Sequence, residues 1–79
     1  MKTIIVVGNT RAEAEEWAKE NVPDPFVAIG RDDEARLEGI RLLAVVYAPG
    51  VRSVTYRLYE HLNRLKAISG VSEDIFVEH

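Results

Sequence analysis

Thr3-Ile4-Ile5-Val6-Val7-Gly8-Asn9-Thr10-Arg11-Ala12-Glu13 is the stretch on which the fold turns. Its first five residues are a β-branched run, the pattern of a strand buried on both faces. Gly8 stops that strand. Thr10 and Glu13 then stand in capping-box spacing, where the hydroxyl takes a backbone N–H of the first turn and the carboxylate reaches back. A strand running through a glycine into a capped helix is the opening unit of an α/β domain. Ligands of such domains collect at the carboxyl ends of the strands, so this junction is also the first place to look for a site.

Beyond Glu13 the helical spacing continues. Ala14, Trp17, Ala18 and Val22 recur on one side and face a sheet, whereas Glu13, Glu15, Glu16, Lys19 and Glu20 face water. Pro23-Asp24-Pro25 ends this helix, because proline removes a donor and restricts the residue before it. Phe26 to Ile29 reads as a second strand, stopped by Gly30. Arg31 to Gly39 is acidic and helix-compatible, with one or two turns predicted around Glu34-Ala35-Arg36-Leu37. Ile40 to Tyr47 is the most apolar run and is predicted to be a strand at the centre of the sheet, covered on both sides. Pro49-Gly50 marks a turn, and Ser53 is the predicted cap of a long helix ending near Ile68. Val54, Leu58, His61/Leu62, Leu65 and Ile68 form its apolar stripe, and Ser69-Gly70 closes it. Asp74 to Val77 reads as a terminal edge strand. The order β-α-β-(short α)-β-α-β predicts one α/β domain over residues 1–79. Its mainly parallel four-stranded sheet has right-handed crossovers, in two or three layers.

Composition narrows the function classes. The chain has 79 residues, 47% hydrophobic and 29% charged, which is the balance of a globular protein. A domain this short buries only about 60% of its unfolded surface, so a partner or a second copy is a natural source of added stability. Cysteine is absent, which excludes disulfides, thiolate nucleophiles and cysteine-based metal sites. The net charge of −3 argues against a general nucleic-acid coat, though not against every nucleic-acid contact. The apolar runs fall far short of the roughly 20 residues that cross a bilayer. Met1-Lys2-Thr3 enters a strand at once without a signal-peptide pattern, so the expected location is the cytoplasm.

In a parallel sheet three loops emerge at one edge: Gly8-Asn9-Thr10-Arg11, Gly30-Arg31-Asp32-Asp33 and Ala48-Pro49-Gly50-Val51-Arg52-Ser53. Each has a glycine followed within three residues by an arginine, and two lead into helix amino termini, which favour anions. Arg11, Arg31 and Arg52, with the hydroxyls of Thr10 and Ser53, are therefore the candidate anion site. The competing reading makes the glycines turns, the hydroxyls caps and the arginines solvated, with Asp32, Asp33 and Glu34 as their counter-charges. Asp32-Asp33 suits magnesium with a substrate phosphate, but adjacent acids after a glycine are more often a helix start. Gly8 is followed by Asn9-Thr10-Arg11, with no second glycine and no lysine at motif spacing, so neither a phosphate-binding loop nor a dinucleotide fingerprint is present. His61 reads as a helix boundary residue and His79 as the chain end. No catalytic set, metal site or cofactor is predicted.

Leu37-Glu38-Gly39 with the strand Ile40 to Tyr47 resembles the second nucleotide motif of helicase- and terminase-type (RecA-like) ATPase cores. There an L-[RK]-G segment leads into an apolar strand ending in Asp-Glu. Val6 to Ala14, with its T-R-x-x-A pattern, is similar to the strand-helix unit such cores place before it. The resemblance spans roughly residues 3 to 50. Tyr47-Ala48 stands where the acidic pair belongs, and the phosphate loop is missing. What the resemblance implies is a reduced, non-hydrolytic relative or a shared α/β frame. The size and style are also similar to small proteins encoded by bacteriophages of actinobacteria.

The leading functional expectation is a non-enzymatic interaction module, a phage accessory protein in style, that binds a protein partner or a second copy of itself. Tyr56, Tyr59 and Arg57 on the second helix are of the residue types that anchor interfaces, and Phe76 on the terminal strand adds an apolar edge. The competing reading packs both tyrosine rings over the sheet edge. The alternatives are an anion or nucleotide-phosphate binder at the strand ends and a nucleic-acid binder through Arg52, Arg57, Arg64 and Lys66.

Overall fold

The computed structural model describes residues 2–33, 41–51, 54–70 and 74–76. β1 (Lys2–Gly8) is followed by α1 (Arg11–Asn21), β2 (Phe26–Gly30), β3 (Arg41–Tyr47), α2 (Tyr56–Ser69) and the short β4 (Asp74–Phe76). β1 pairs in parallel with β2, Ile4 opposite Phe26 through Gly8 opposite Gly30, and in parallel with β3. These three strands form a parallel sheet in the order β2-β1-β3. The backbone of β4 runs parallel to β3, with Asp74 opposite Val45 and Phe76 opposite Tyr47. The turns predicted around Glu34-Ala35-Arg36-Leu37 lie outside the described residues.

Alternation along β1 sends its side chains to two cores. Ile5 and Val7 pack with Ile29, Leu42, Val45 and Tyr47 beneath Leu58, Leu62 and Leu65 of α2. Val6 packs with Ala28 beneath Ala14 and Ala18 of α1. The two helices therefore cover opposite faces of the sheet, and every residue of the Ile5-Val6-Val7 run is fully buried. Small alanines at the α1 contact let that helix lie close to the strands. At its start this closeness extends to the backbone: a Cβ on Gly8 would sit 2.8 Å from the Ala14 nitrogen and 2.9 Å from the Thr10 oxygen.

β1 is flanked on both sides, by β2 and β3, and β3 pairs with β1 on one side and has the β4 backbone beside it on the other. β3 is also less uniformly covered than its apolar sequence predicts, because its pairing with β1 is irregular. Thr3 is opposite Leu42 but Ile4 is opposite Ala44, so Leu43 is the extra residue of a β-bulge. The bulge puts Leu42 and Val45, three apart, into the same core, whereas Leu43 stays 47% exposed.

Caps define the helices. The Thr10 hydroxyl accepts the Glu13 N–H at 3.2 Å, as the capping-box spacing predicts. α2 starts later than expected: Thr55, not Ser53, is its cap, accepting the Leu58 N–H at 3.3 Å. Gly70 ends α2 in the left-handed region at φ 75°, which glycine reaches without a Cβ penalty. The apolar stripe of α2 stops at Leu65, and Ile68 is exposed. At the same end, the Ser69 hydroxyl accepts the Leu42 N–H at 2.9 Å, tying the last turn of α2 to the bulge of β3. No helix among the described residues is long and apolar enough to cross a membrane.

Candidate functional site

Parallel pairing brings the loops after β1, β2 and β3 to one edge. The connection leaving β1 travels through α1 on one face, and the connection leaving β3 travels through α2 on the other. Neighbouring strands whose connections part in this way leave a crevice between their carboxyl ends, the usual ligand position of open α/β sheets. Here a crevice of about 250 Å³ lies at that point, lined by Gly8, Asn9, Glu13, Trp17, Ala48 and Pro49. Ala48 continues the ladder, donating its N–H to the Val7 carbonyl at 2.8 Å, and the following turn closes with Val51 N–H to Ala48 oxygen at 3.2 Å. Proline then glycine at φ 87° is the order such a turn requires.

Of the predicted anion-site residues, Thr10, Arg11 and Arg31 do not line this crevice. Arg11 is exposed at the start of α1 and borders a separate depression of about 240 Å³ beside β2, together with Glu15, Phe26, Val27 and Ala28. Glu15 also reaches Lys19 at 3.6 Å, so that depression carries both signs of charge. Arg31 is exposed in the turn after β2, where its backbone carbonyl accepts the Thr55 N–H at 3.1 Å. Asp33 locks this turn, its carboxylate accepting the Gly30 N–H at 3.0 Å while its own N–H donates to the Gly30 carbonyl at 3.2 Å. Arg52 and Ser53 lie outside the described residues. Thr10 is engaged as a helix cap. What the loops do share is an edge: both helix amino termini and the β2 turn meet there, tied by the Arg31–Thr55 backbone bond.

The second candidate surface is the side of α2 turned away from the sheet. With Leu58, Leu62 and Leu65 buried, a 3.6-residue repeat turns Tyr56, Tyr59, Asn63 and Ala67 outward, and all four are exposed. Tyr56 is 73% and Tyr59 50% exposed, so neither ring is buried. A hydrogen bond with Glu60, one turn on, raises the Tyr56 phenol above its ordinary value of 10.0, and the Glu60 charge adds to the effect. Arg57 is exposed on the flank of the same helix, and the Phe76 side chain lies outside the described residues. No protein family, curated protein or solved structure matches the chain.

Sequence reasoning passed over Asn9, Glu13 and Trp17 as crevice walls, since Trp17 reads only as a core residue and Glu13 only as part of a cap. Trp17 does both, packing against the core while closing one side of the crevice. It also passed over Glu60 and Asn63. Their signal was available in the spacing 56, 60, 63, 67, which repeats every three or four residues opposite the leucines.

Proposed function

We propose that the protein is a non-enzymatic interaction module whose contact surface is the outward side of α2, centred on Tyr56 and Tyr59. One observation carries this reading: in a chain of 79 residues, two large rings one turn apart are held 73% and 50% exposed. Tyrosine gives a contact surface large apolar area at low entropic cost, and its hydroxyl stays satisfied when buried against a partner. β4 belongs to this reading as the fourth strand of the sheet. It takes up the outer edge of β3.

The test is photo-cross-linking in cells producing the full chain, with a photoreactive residue at position 59 or 63 and, as controls, at Glu16 or Glu20 on α1. Discrete adducts from α2 and none from α1 are expected. Adducts from α1 alone, or from no position, overturn the proposed surface.

The alternative is an anion or nucleotide-phosphate binder at the carboxyl edge. It draws on Arg11 and Arg31 at the same edge as both helix amino termini. Calorimetric titration with inorganic phosphate and with nucleotides tests it. Heat that disappears in Arg11→Ala supports this reading, and absence of heat with every ligand removes it.

A further inference from the structure

We propose that the crevice between the carboxyl ends of β1 and β3 binds a small organic cation of the alkylammonium class. The proposal is independent of the α2 contact surface. Glu13 and Trp17 are four residues apart on α1, the spacing that sets two side chains next to each other. Both line the crevice, so one ligand group can meet the carboxylate and the indole together. Of the side-chain rings, an indole attracts a cation over its face most strongly. Trp17 is half-buried and packs against both cores, so its ring is held in place and loses little freedom on binding.

The walls decide the sign of the ligand. Of the described residues that line the crevice, Glu13 alone is charged, and Arg11 borders the separate depression beside β2. The Glu13 N–H goes to the Thr10 hydroxyl, but its carboxylate has no hydrogen bond or ion pair among the described residues. The return half of the capping box is thus unmade, and the carboxylate is left for a ligand. Free N–H groups in the first turn of α1 oppose a cation, and the Glu13 charge in that same turn offsets them. A Cβ on Gly50 would lie 3.8 Å from the Asn9 amide nitrogen, so this carboxamide reaches from the β1 loop toward the turn after β3. It is an uncharged donor and acceptor for a ligand hydroxyl or ammonium N–H. Ala48 and Pro49 add apolar contact. A ring, an apolar wall and one anionic group suit an alkylammonium ion and disfavour phosphate or carboxylate. At about 250 Å³ the crevice is smaller than the roughly 300–1,000 Å³ of drug-sized sites, so the ligand is small.

Trp17 is the single tryptophan of the chain, so its fluorescence reads this crevice directly. Titration of the full chain with choline at constant ionic strength tests the proposal. A saturable change is expected, with half-saturation on the order of 1–10 mM for so small a ligand. The uncharged alcohol in which carbon replaces the choline nitrogen is expected to bind about fivefold more weakly or worse, the worth of one unit charge at contact distance in water. Glu13→Gln is expected to weaken choline binding by a similar factor. Glu16→Gln, on the exposed side of the same helix, is expected to bind like the parent and controls for net charge. Circular dichroism checks the fold of both variants, and if Glu13→Gln loses it, the choline-against-alcohol comparison on the parent decides. No saturable change with choline up to about 100 mM overturns the proposal, since that is well beyond the expected range. So do equal affinities for choline and the alcohol, a folded Glu13→Gln that binds like the parent, or inorganic phosphate binding more tightly than choline.

Discussion

The Leu42 N–H donates to the Ser69 hydroxyl at 2.9 Å, a bond between residues 27 apart in sequence. Leu42 begins the bulge of β3, where the ladder to β1 is interrupted, and its side chain is fully buried. A donor at such a place has few other partners, and the last turn of α2 supplies one. Removing the hydroxyl in Ser69→Ala leaves the N–H short of an acceptor at a cost of about 1–3 kcal/mol. Urea denaturation is expected to show a lower midpoint with an unchanged slope, and Ser69→Thr, which keeps the oxygen, is expected to recover most of the loss. Equal midpoints for parent and Ser69→Ala contradict the bond.

The bulge itself makes two adjacent leucines unequal. Leu42 is fully buried in the α2-side core and Leu43 is 47% exposed. Leu42→Ala is expected to cost about 2–5 kcal/mol, as core truncations do, and Leu43→Ala less than about 1 kcal/mol. Chemical denaturation of the two variants side by side decides the matter. Similar losses contradict the register shift between Thr3 and Ile4.

Most of the strand-helix alternation was legible because its signals are local. The β-branched run of β1, the Thr10 cap and the alanine side of α1 each depend on residues a few positions apart. The bulge was not legible, since Leu42 and Leu43 differ only through their pairing with Thr3 and Ile4 on another strand. Ser53 and Thr55 are both good caps, and the choice of Thr55 goes with its N–H bonding to Arg31, a contact across the fold. Ser69 reads in sequence as a helix end, and its acceptor role needs β3 beside it. The three arginines share a spacing in the sequence, but spacing says nothing of where α1 turns Arg11. The helix-start position sends it toward β2 and Glu15, away from the crevice between β1 and β3.

Two glycines that look alike in sequence are expected to respond differently to alanine. At Gly8 a Cβ meets backbone and side chain of Ala14 within 2.9 Å, so α1 must move and the core on its side opens. At Gly70 nothing among the described residues lies within 4 Å, and the left-handed φ of 75° is what opposes a side chain. Gly70→Ala is expected to cost about 1 kcal/mol. Gly8→Ala is expected to cost more, about 1–3 kcal/mol of overpacking and beyond if the helix cannot shift. Thermal unfolding followed by circular dichroism ranks the pair. A Gly70 variant less stable than the Gly8 variant contradicts the close approach of α1 to β1.

The Tyr56–Glu60 pair gives a titration with a definite sign. The neutral phenol donates to the Glu60 carboxylate, and deprotonation replaces that bond with two negative charges side by side, so the phenol of the folded chain titrates above its ordinary 10.0. The unfolded chain lacks the pair and titrates at the ordinary value. A folded value above the unfolded one stabilises the fold at pH below about 10. That contribution is lost as the pH rises through the raised value. It is small, because the ring is on the surface and water screens the pair. Ultraviolet titration at the phenolate band is expected to move one tyrosine to lower pH in Glu60→Gln, which removes the charge but keeps an acceptor. Tyr56→Phe is expected to delete that same step. If the Glu60→Gln curve overlays the parent's, the carboxylate is not what holds the Tyr56 proton, and the outward side of α2 lacks the ordering that the pair gives it.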